Sequence, residues 1–369
     1  MVKDCPPEAT ELRTGRNRGY EALTLRARRR ISIVTIVTSL FAATVLAAAG
    51  SASFATPAAA QGIVQCPDPT ILYAGSGPAA FTLMCTGAGF PTRSASSIAG
   101  LSGGLPQPAF APDGWPQWAV GGFWAPDLER VGDRYFLYYS AQRRGDRRRC
   151  IGVAVSDKPD GDFHDIGHPL ISNDSAGAID PSLLHAQGGL YLLYKRDGNA
   201  VGQPSIIYGR PLDPSGLVAG RRKVLLQSRS GGWERGVTEG PAAFAIGRTT
   251  YLLYSGGYYA GSGYAEGEAI RHGPPLGPYR RVNNRPVLKA AGNWVGTGGG
   301  SIVEAKGIYL FAYNAFPPNE HPGQRRLFLM QLGFVGNVLR PTGNVRRIPL
   351  AGSVPSDLIK KTTRRAPGR

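Results

Sequence analysis

A five-bladed β-propeller is the fold this all-β sequence predicts, and three observations predict it. A short aromatic run of strand type recurs five times, at intervals of 54 to 60 residues. Glycine and proline are abundant, 51 and 30 among 369 residues, and they fall between apolar runs where turns belong. No stretch of useful length carries the 3.6-residue period of an amphipathic helix.

The clearest copies of the run are Tyr135-Phe136-Leu137-Tyr138-Tyr139-Ser140, Tyr191-Leu192-Leu193-Tyr194-Lys195, Tyr251-Leu252-Leu253-Tyr254-Ser255 and Tyr309-Leu310-Phe311-Ala312-Tyr313-Asn314. A weaker copy, Phe81-Thr82-Leu83-Met84-Cys85-Thr86, precedes them. About ten residues upstream of each lies a second element, a Pro or Gly followed by small and apolar residues: Asp68-Pro69-Thr70-Ile71, Ala125-Pro126-Asp127-Leu128, Asp180-Pro181-Ser182-Leu183, Glu239-Gly240-Pro241-Ala242 and Gly299-Gly300-Ser301-Ile302. Proline at the first position of a strand removes no ladder hydrogen bond, so these read as strand starts. Five units with room for about four strands each are propeller blades. A blade buries both faces against its neighbours, so its strands need not alternate strictly. If the strand that opens each unit is innermost, its first residues point at the axis, and equivalent positions converge on one central funnel.

Three segments follow: 1–60, a signal peptide or signal anchor; 61–354, the propeller; and 355–369, a basic, disordered tail. Arg28, Arg29 and Arg30 precede an uncharged apolar stretch over 31–49, and Ala58-Ala59-Ala60 before Gln61 suits signal peptidase. The stretch is also long enough to span a bilayer, so a membrane anchor stays open. Either version sends the remaining chain out of the cytoplasm.

The formal charge of +17 is spread unevenly. Residues 1–30 and 355–369 contribute +4 each, leaving +9 for the body. Part of that is a run in a loop, Arg143, Arg144, Arg147, Arg148 and Arg149. It reads either as a solvated basic loop or as a patch for an anionic cell-surface polymer; nucleic acid is not expected as a partner. Of the four cysteines, Cys5 precedes the apolar stretch, and Cys66 and Cys85 flank the first hairpin as the expected disulfide. Cys150 is left over. The five histidines are scattered, and no Cys-x-x-Cys pair exists, so no zinc site is expected.

The strand starts carry Asp68, Asp127, Asp180 and Glu239, with Gly299 in the fifth unit. A single Asp-Pro is a common turn starter. Several acids aimed at one axial pocket are different, because like charges held close must shift their pKa values or share protons.

On these motifs, together with Trp124 and Trp233-Glu234, residues 64–350 resemble glycoside hydrolase family 43, a group of arabinanases, α-L-arabinofuranosidases and β-xylosidases. The resemblance implies a five-bladed propeller that hydrolyses polysaccharide with inversion. It implies Asp68 as the general base that activates water, Asp180 as the carboxylate that orients the acid and raises its pKa, and Glu239 as the general acid. It leaves Asp127 structural. Trp124 and Arg326 are implied as substrate-binding residues, while Trp233 and Trp294 read equally as pocket or packing residues. No cofactor is required. Relatives place a histidine near a channel ion where this chain has Gly299, which weakens the expectation of a channel calcium ion, although oxygen ligands and water remain able to hold one. Two rival functions stay open: a carbohydrate-binding propeller without catalysis, and a fructan hydrolase or glycoside phosphorylase of a related propeller family.

Overall fold

A computed structural model describes residues 65–319, 324–335, 338–341 and 346–347. The segments 1–60 and 355–369 lie outside the described residues, as do Cys5 and His321. Among the described residues no helix is long and apolar enough to cross a membrane.

The described chain is five antiparallel sheets in sequence order. Blade one is β1 (Thr70–Tyr73), β2 (Phe81–Met84) and β3 (Thr92–Ala95). Blade two is β4 (Trp124–Val131), β5 (Arg134–Gln142), β6 (Arg149–Ser156) and β7 (His164–Asp165). Blade three is β8 (Ala178–Ala186), β9 (Gly189–Arg196), β10 (Ile206–Leu212) and β11 (Lys223–Gln227). Blade four is β12 (Thr238–Ile246), β13 (Thr249–Gly256), β14 (Ala265–His272) and β15 (Arg280–Arg281). Blade five holds β16 (Ala290–Ala291), β17 (Trp294–Ala305), β18 (Ile308–Phe316), β19 (Arg326–Val335), β20 (Val338–Pro341) and β21 (Arg346–Arg347).

The first long strand of each blade is innermost. β1 touches β4, β4 touches β8, β8 touches β12, β12 touches β17, and β17 returns to β1, which closes the ring. Apolar side chains form five clusters, one at each seam between blades. Tyr138 and Tyr139 show how one run serves two seams. Neighbours along a strand point to opposite faces, so Tyr139 enters the seam with blade one and Tyr138 the seam with blade three, both fully buried. Each such burial contributes about 2 kcal/mol, and the hydroxyls are satisfied at Asp165 Oδ2 and Gly216 O.

Hydrogen bonds from Asn314 help bind the start of the propeller to its last blade. Asn314 on β18 donates from Nδ2 to Cys66 O and accepts the Asp68 amide at Oδ1. Cys66 and Cys85 form a disulfide that pins this segment to the end of β2. Cys150 is a buried free thiol.

A β-bulge near the start of β4, β8, β12 and β17 opens each inner strand. The residue before the repeated proline or glycine of each inner strand is left-handed: Asp68 (φ 46°), Ala125 (φ 44°), Asp180 (φ 55°), Gly240 (φ 54°) and Gly299 (φ 63°). This revises the equivalence expected from spacing. Asp68 and Asp180 are true equivalents, whereas Glu239 stands one residue before the left-handed position and Asp127 two residues after it. A left-handed non-glycine residue costs about 1–2 kcal/mol, and such strain gathers where function over-determines the backbone.

Candidate active site

The starts of the five inner strands, four of them bulged, bring one residue per blade to a common cavity of roughly 310 Å³. Asp68, Trp124, Asp180, Glu239 and Gly299 line it, with Tyr259, Tyr264 and Arg325.

Asp68 is held from two sides. Thr86 donates its hydroxyl to Oδ2 at 2.8 Å, and Arg325 donates to Oδ1 at 2.7 Å. Burial opposes the Arg325 charge, yet Asp68 and then Tyr264 keep its guanidinium strongly protonated. Gly299 makes this approach feasible, because a Cβ there would stand 2.6 Å from Asp68 Oδ1.

Asp180 accepts the Gly240 amide at Oδ2, 2.9 Å away. Burial, and next the neighbouring Glu239 carboxylate, push Asp180 well above the usual carboxylate range, against the pull of Lys195. Glu239 takes a hydrogen bond from Lys195 Nζ at Oε2, 2.8 Å away. Lys195 also pairs with Asp197 at 2.9 Å, and its side chain is only 1% exposed. Burial works against its charge, but Glu239, Asp180 and Asp197 more than offset that and hold the ammonium protonated. Behind Glu239, Ser255 donates to the buried Glu266, whose carboxyl burial pushes up to about 8.

The remaining expected residues divide. Trp124 lines the cavity, half-exposed, with the Arg149 guanidinium stacked 3.0 Å from its ring centroid. Trp233 packs on Tyr254, and Trp294 meets Phe328 edge to face, so both serve the seams. Trp115 and Trp118 pack in the seam between blades one and two. Asp127 accepts the Leu183 amide at Oδ2, repeating one blade later what Thr70 does for Leu128. It is a staple between inner strands, as its position after the bulge dictates.

Arg326, expected as a substrate-binding residue, is not among the residues that line this cavity. Arg325 reaches the cavity, while Arg326 opens β19 and donates to Gln324 Oε1. The two project differently because successive side chains alternate at the entry to a strand. Of the basic loop, Arg143 and Arg148 pair with Asp146, Arg144 donates to Gln117 O, Arg147 to Gln142 Oε1 and Arg149 to Gly122 O. Lys195, Arg325, Tyr259 and Tyr264 were not anticipated. Lys195 alone left a visible signal, as the one cation among the polar residues that end the aromatic runs.

At the place where relatives have a histidine near a channel ion, this chain offers no side-chain ligand. Gly299 supplies no side chain, its amide points to Ser255 Oγ, and among the described residues no group of three or more His, Cys, Asp or Glu side chains is placed to hold a metal.

Residues 63–336 match the family model for glycosyl hydrolases family 43. A protein of Aspergillus niger named probable arabinan endo-1,5-α-L-arabinosidase A is 30% identical over 224 residues, 56% of this chain. The match spans only 63% of the length of that relative. A protein of the same name from Aspergillus flavus is 28% identical over 288 residues, 72% of this chain and 81% of its own length. The crystal structure of a thermostable family-43 glycoside hydrolase shares the fold with a TM-score of 0.66 at 23% identity, covering 78% of this chain and 96% of the other.

Proposed function

The chain belongs to family 43 of the glycosyl hydrolases, and on that footing we propose that it is a secreted, inverting glycosidase of plant cell-wall polysaccharide. The linkage we assign is α-L-arabinofuranosyl, with β-xylosyl as the second choice; the names of the Aspergillus relatives favour arabinan. One observation carries the reading: Asp68, Asp180 and Glu239, from three blades, line one cavity, each held by a different set of partners.

The chemistry uses those differences. Asp68, oriented by Thr86 and Arg325, takes a proton from water as the water oxygen bonds to the anomeric carbon. The glycosidic C–O bond breaks, and Glu239 gives its proton to the departing oxygen. Asp180 sits beside Glu239 and disfavours a second negative charge there. Trp124 offers an aromatic face to a sugar ring. Export rests on the basic-then-apolar segment ahead of the propeller.

The test is hydrolysis of arabinan, arabinoxylan and nitrophenyl arabinofuranoside by the protein and by Asp68→Asn, Asp180→Asn and Glu239→Gln. Each substitution is expected to lower kcat by about 10²- to 10⁴-fold. Wild-type turnover in any of the three removes that residue from the mechanism. Proton NMR of the first-formed anomer checks inversion, and retention overturns it.

A further inference from the structure

Four of the five blades secure the next inner strand in the same way. The polar residue that ends the aromatic run accepts the amide of the following left-handed residue. Thr86 accepts from Ala125, Ser140 from Asp180, Ser255 from Gly299 and Asn314 from Asp68. In blade three that position is Lys195. An ammonium has donors only and cannot accept an amide. The Gly240 amide goes to Asp180 Oδ2 instead, and Lys195 Nζ turns to Glu239 Oε2 and Asp197 Oδ1.

Replacing a small hydroxyl with a buried cation carries a desolvation cost of several kcal/mol unless the cation is well paired. A neutral Ser, Thr or Asn serves the same backbone in the other blades, so holding the strand does not call for a lysine. On the reading of this chain as a glycosidase, we infer that Lys195 is a positioning residue for proton delivery: it fixes Glu239 through Oε2 and leaves Oε1 to carry the proton. The same substitution passes the Gly240 amide to Asp180, so one lysine ties the two carboxyls into a unit.

The electrostatic surroundings agree. Asp180 on β8, Tyr264 and Glu266 at the start of β14, and Arg325 before β19 all feel the Glu239 charge. Of these neighbours, Asp180 and Glu266 carry like charge when ionised, and Arg325, bonded to Asp68, carries the opposite charge. Lys195 is the cation in direct contact. A stronger acid protonates a poor leaving group more readily, so the effect should depend on the leaving group.

The test uses the full chain and Lys195→Met, Lys195→Arg and Lys195→Ser/Asp197→Asn. The last variant removes both opposite charges and supplies the hydroxyl that the other blades use, which guards against a fold lost to an unpaired Asp197. Lys195→Met should lower kcat on arabino-oligosaccharides by about 100-fold, with little change in KM. The loss on dinitrophenyl arabinofuranoside, whose leaving group needs little protonation, should be under about tenfold. The alkaline limb of kcat/KM should move up by about one pH unit, because the acid then keeps its proton longer. Lys195→Arg should return that limb towards wild type, and the double variant should follow Lys195→Met.

Carbon-13 titration of the Asp180 and Glu239 carboxyls, assigned with Asp180→Asn and Glu239→Gln, reads the same effect without a substrate. Glu239 should titrate higher in Lys195→Met and in the double variant. If the titration moves but the wild type hydrolyses no glycoside, the glycosidase reading fails and the Lys195–Glu239 coupling stands. If the wild type is active and folded variants keep its titration, alkaline limb and leaving-group dependence, the inference about Lys195 is overturned.

Discussion

Residue 299 lies so close to Asp68 that a single added carbon would stand 2.6 Å from Asp68 Oδ1. Its φ of +63° would strain any other residue as well. The glycine is therefore part of how the proposed base is seated. Gly299→Ala should lower kcat by at least about tenfold, since displacements near 1 Å at a reacting group cost up to about 10²-fold. It should also destabilise the fold by about 1–2 kcal/mol. Steady-state kinetics and thermal melts check both; an unchanged kcat would show that Asp68 tolerates the displacement.

Arg325 and Arg326 offer a paired control. Arg325 grips Asp68, whereas Arg326 bonds to Gln324. Arg325→Met should reduce kcat by about 100-fold by freeing the proposed base. Arg326→Met should stay within about threefold of wild type. The ratio of the two kcat values is the measurement, and equal losses would reject the assignment of Arg325.

Glu266 predicts a slope in stability with pH. Its folded pKa, about 8, lies above the ordinary value of 4.5 because of burial. Between those values the folded state keeps a proton that the unfolded state has lost, so stability falls as pH rises from about 4.5 to 8. Glu266→Gln removes this contribution. Its Tm should fall less steeply than wild type over that window, by an amount of order a few kcal/mol in unfolding free energy. Parallel Tm-against-pH curves would show that Glu266 is ionised in the fold.

The disulfide between Cys66 and Cys85 closes a loop of sequence separation 19 at the segment that carries Asp68. Replacing both with serine should cost about 3 kcal/mol of stability. The substitution should affect kcat more than KM, because Asp68 follows Cys66 by two residues. Denaturant unfolding and kinetics under non-reducing conditions check this.

The blades were legible because burial on both faces demands an aromatic run in each, and five such runs survive in the sequence. The acids were legible because proline marks the inner-strand starts. Aligning the acids with one another misplaced Asp127 and Glu239 by one or two residues, because the bulge falls at the same place in β4, β8 and β12 while the acid does not. Proline itself supplies the better register: Pro69, Pro126, Pro181 and Pro241 are equivalent, which places Asp68 and Asp180 together and the other two apart. Arg325 was missed by one position because alternation decides direction only once a strand's first residue is known. Lys195 stood in plain view, but its meaning depends on Glu239, which is 44 residues away and in the next blade.

Of the groups that seat Asp68, Thr86 belongs to its own blade, while Asn314, Gly299 and Arg325 all come from the fifth. The residue proposed to activate water is thus assembled across the longest span of the chain, and such contacts form late because the loop between them is costly to close. A nascent or C-terminally clipped chain could fold four blades and still lack a seated base. Hydrolysis should then switch on with completion of the circle, so that turnover itself reports whether the last blade has arrived.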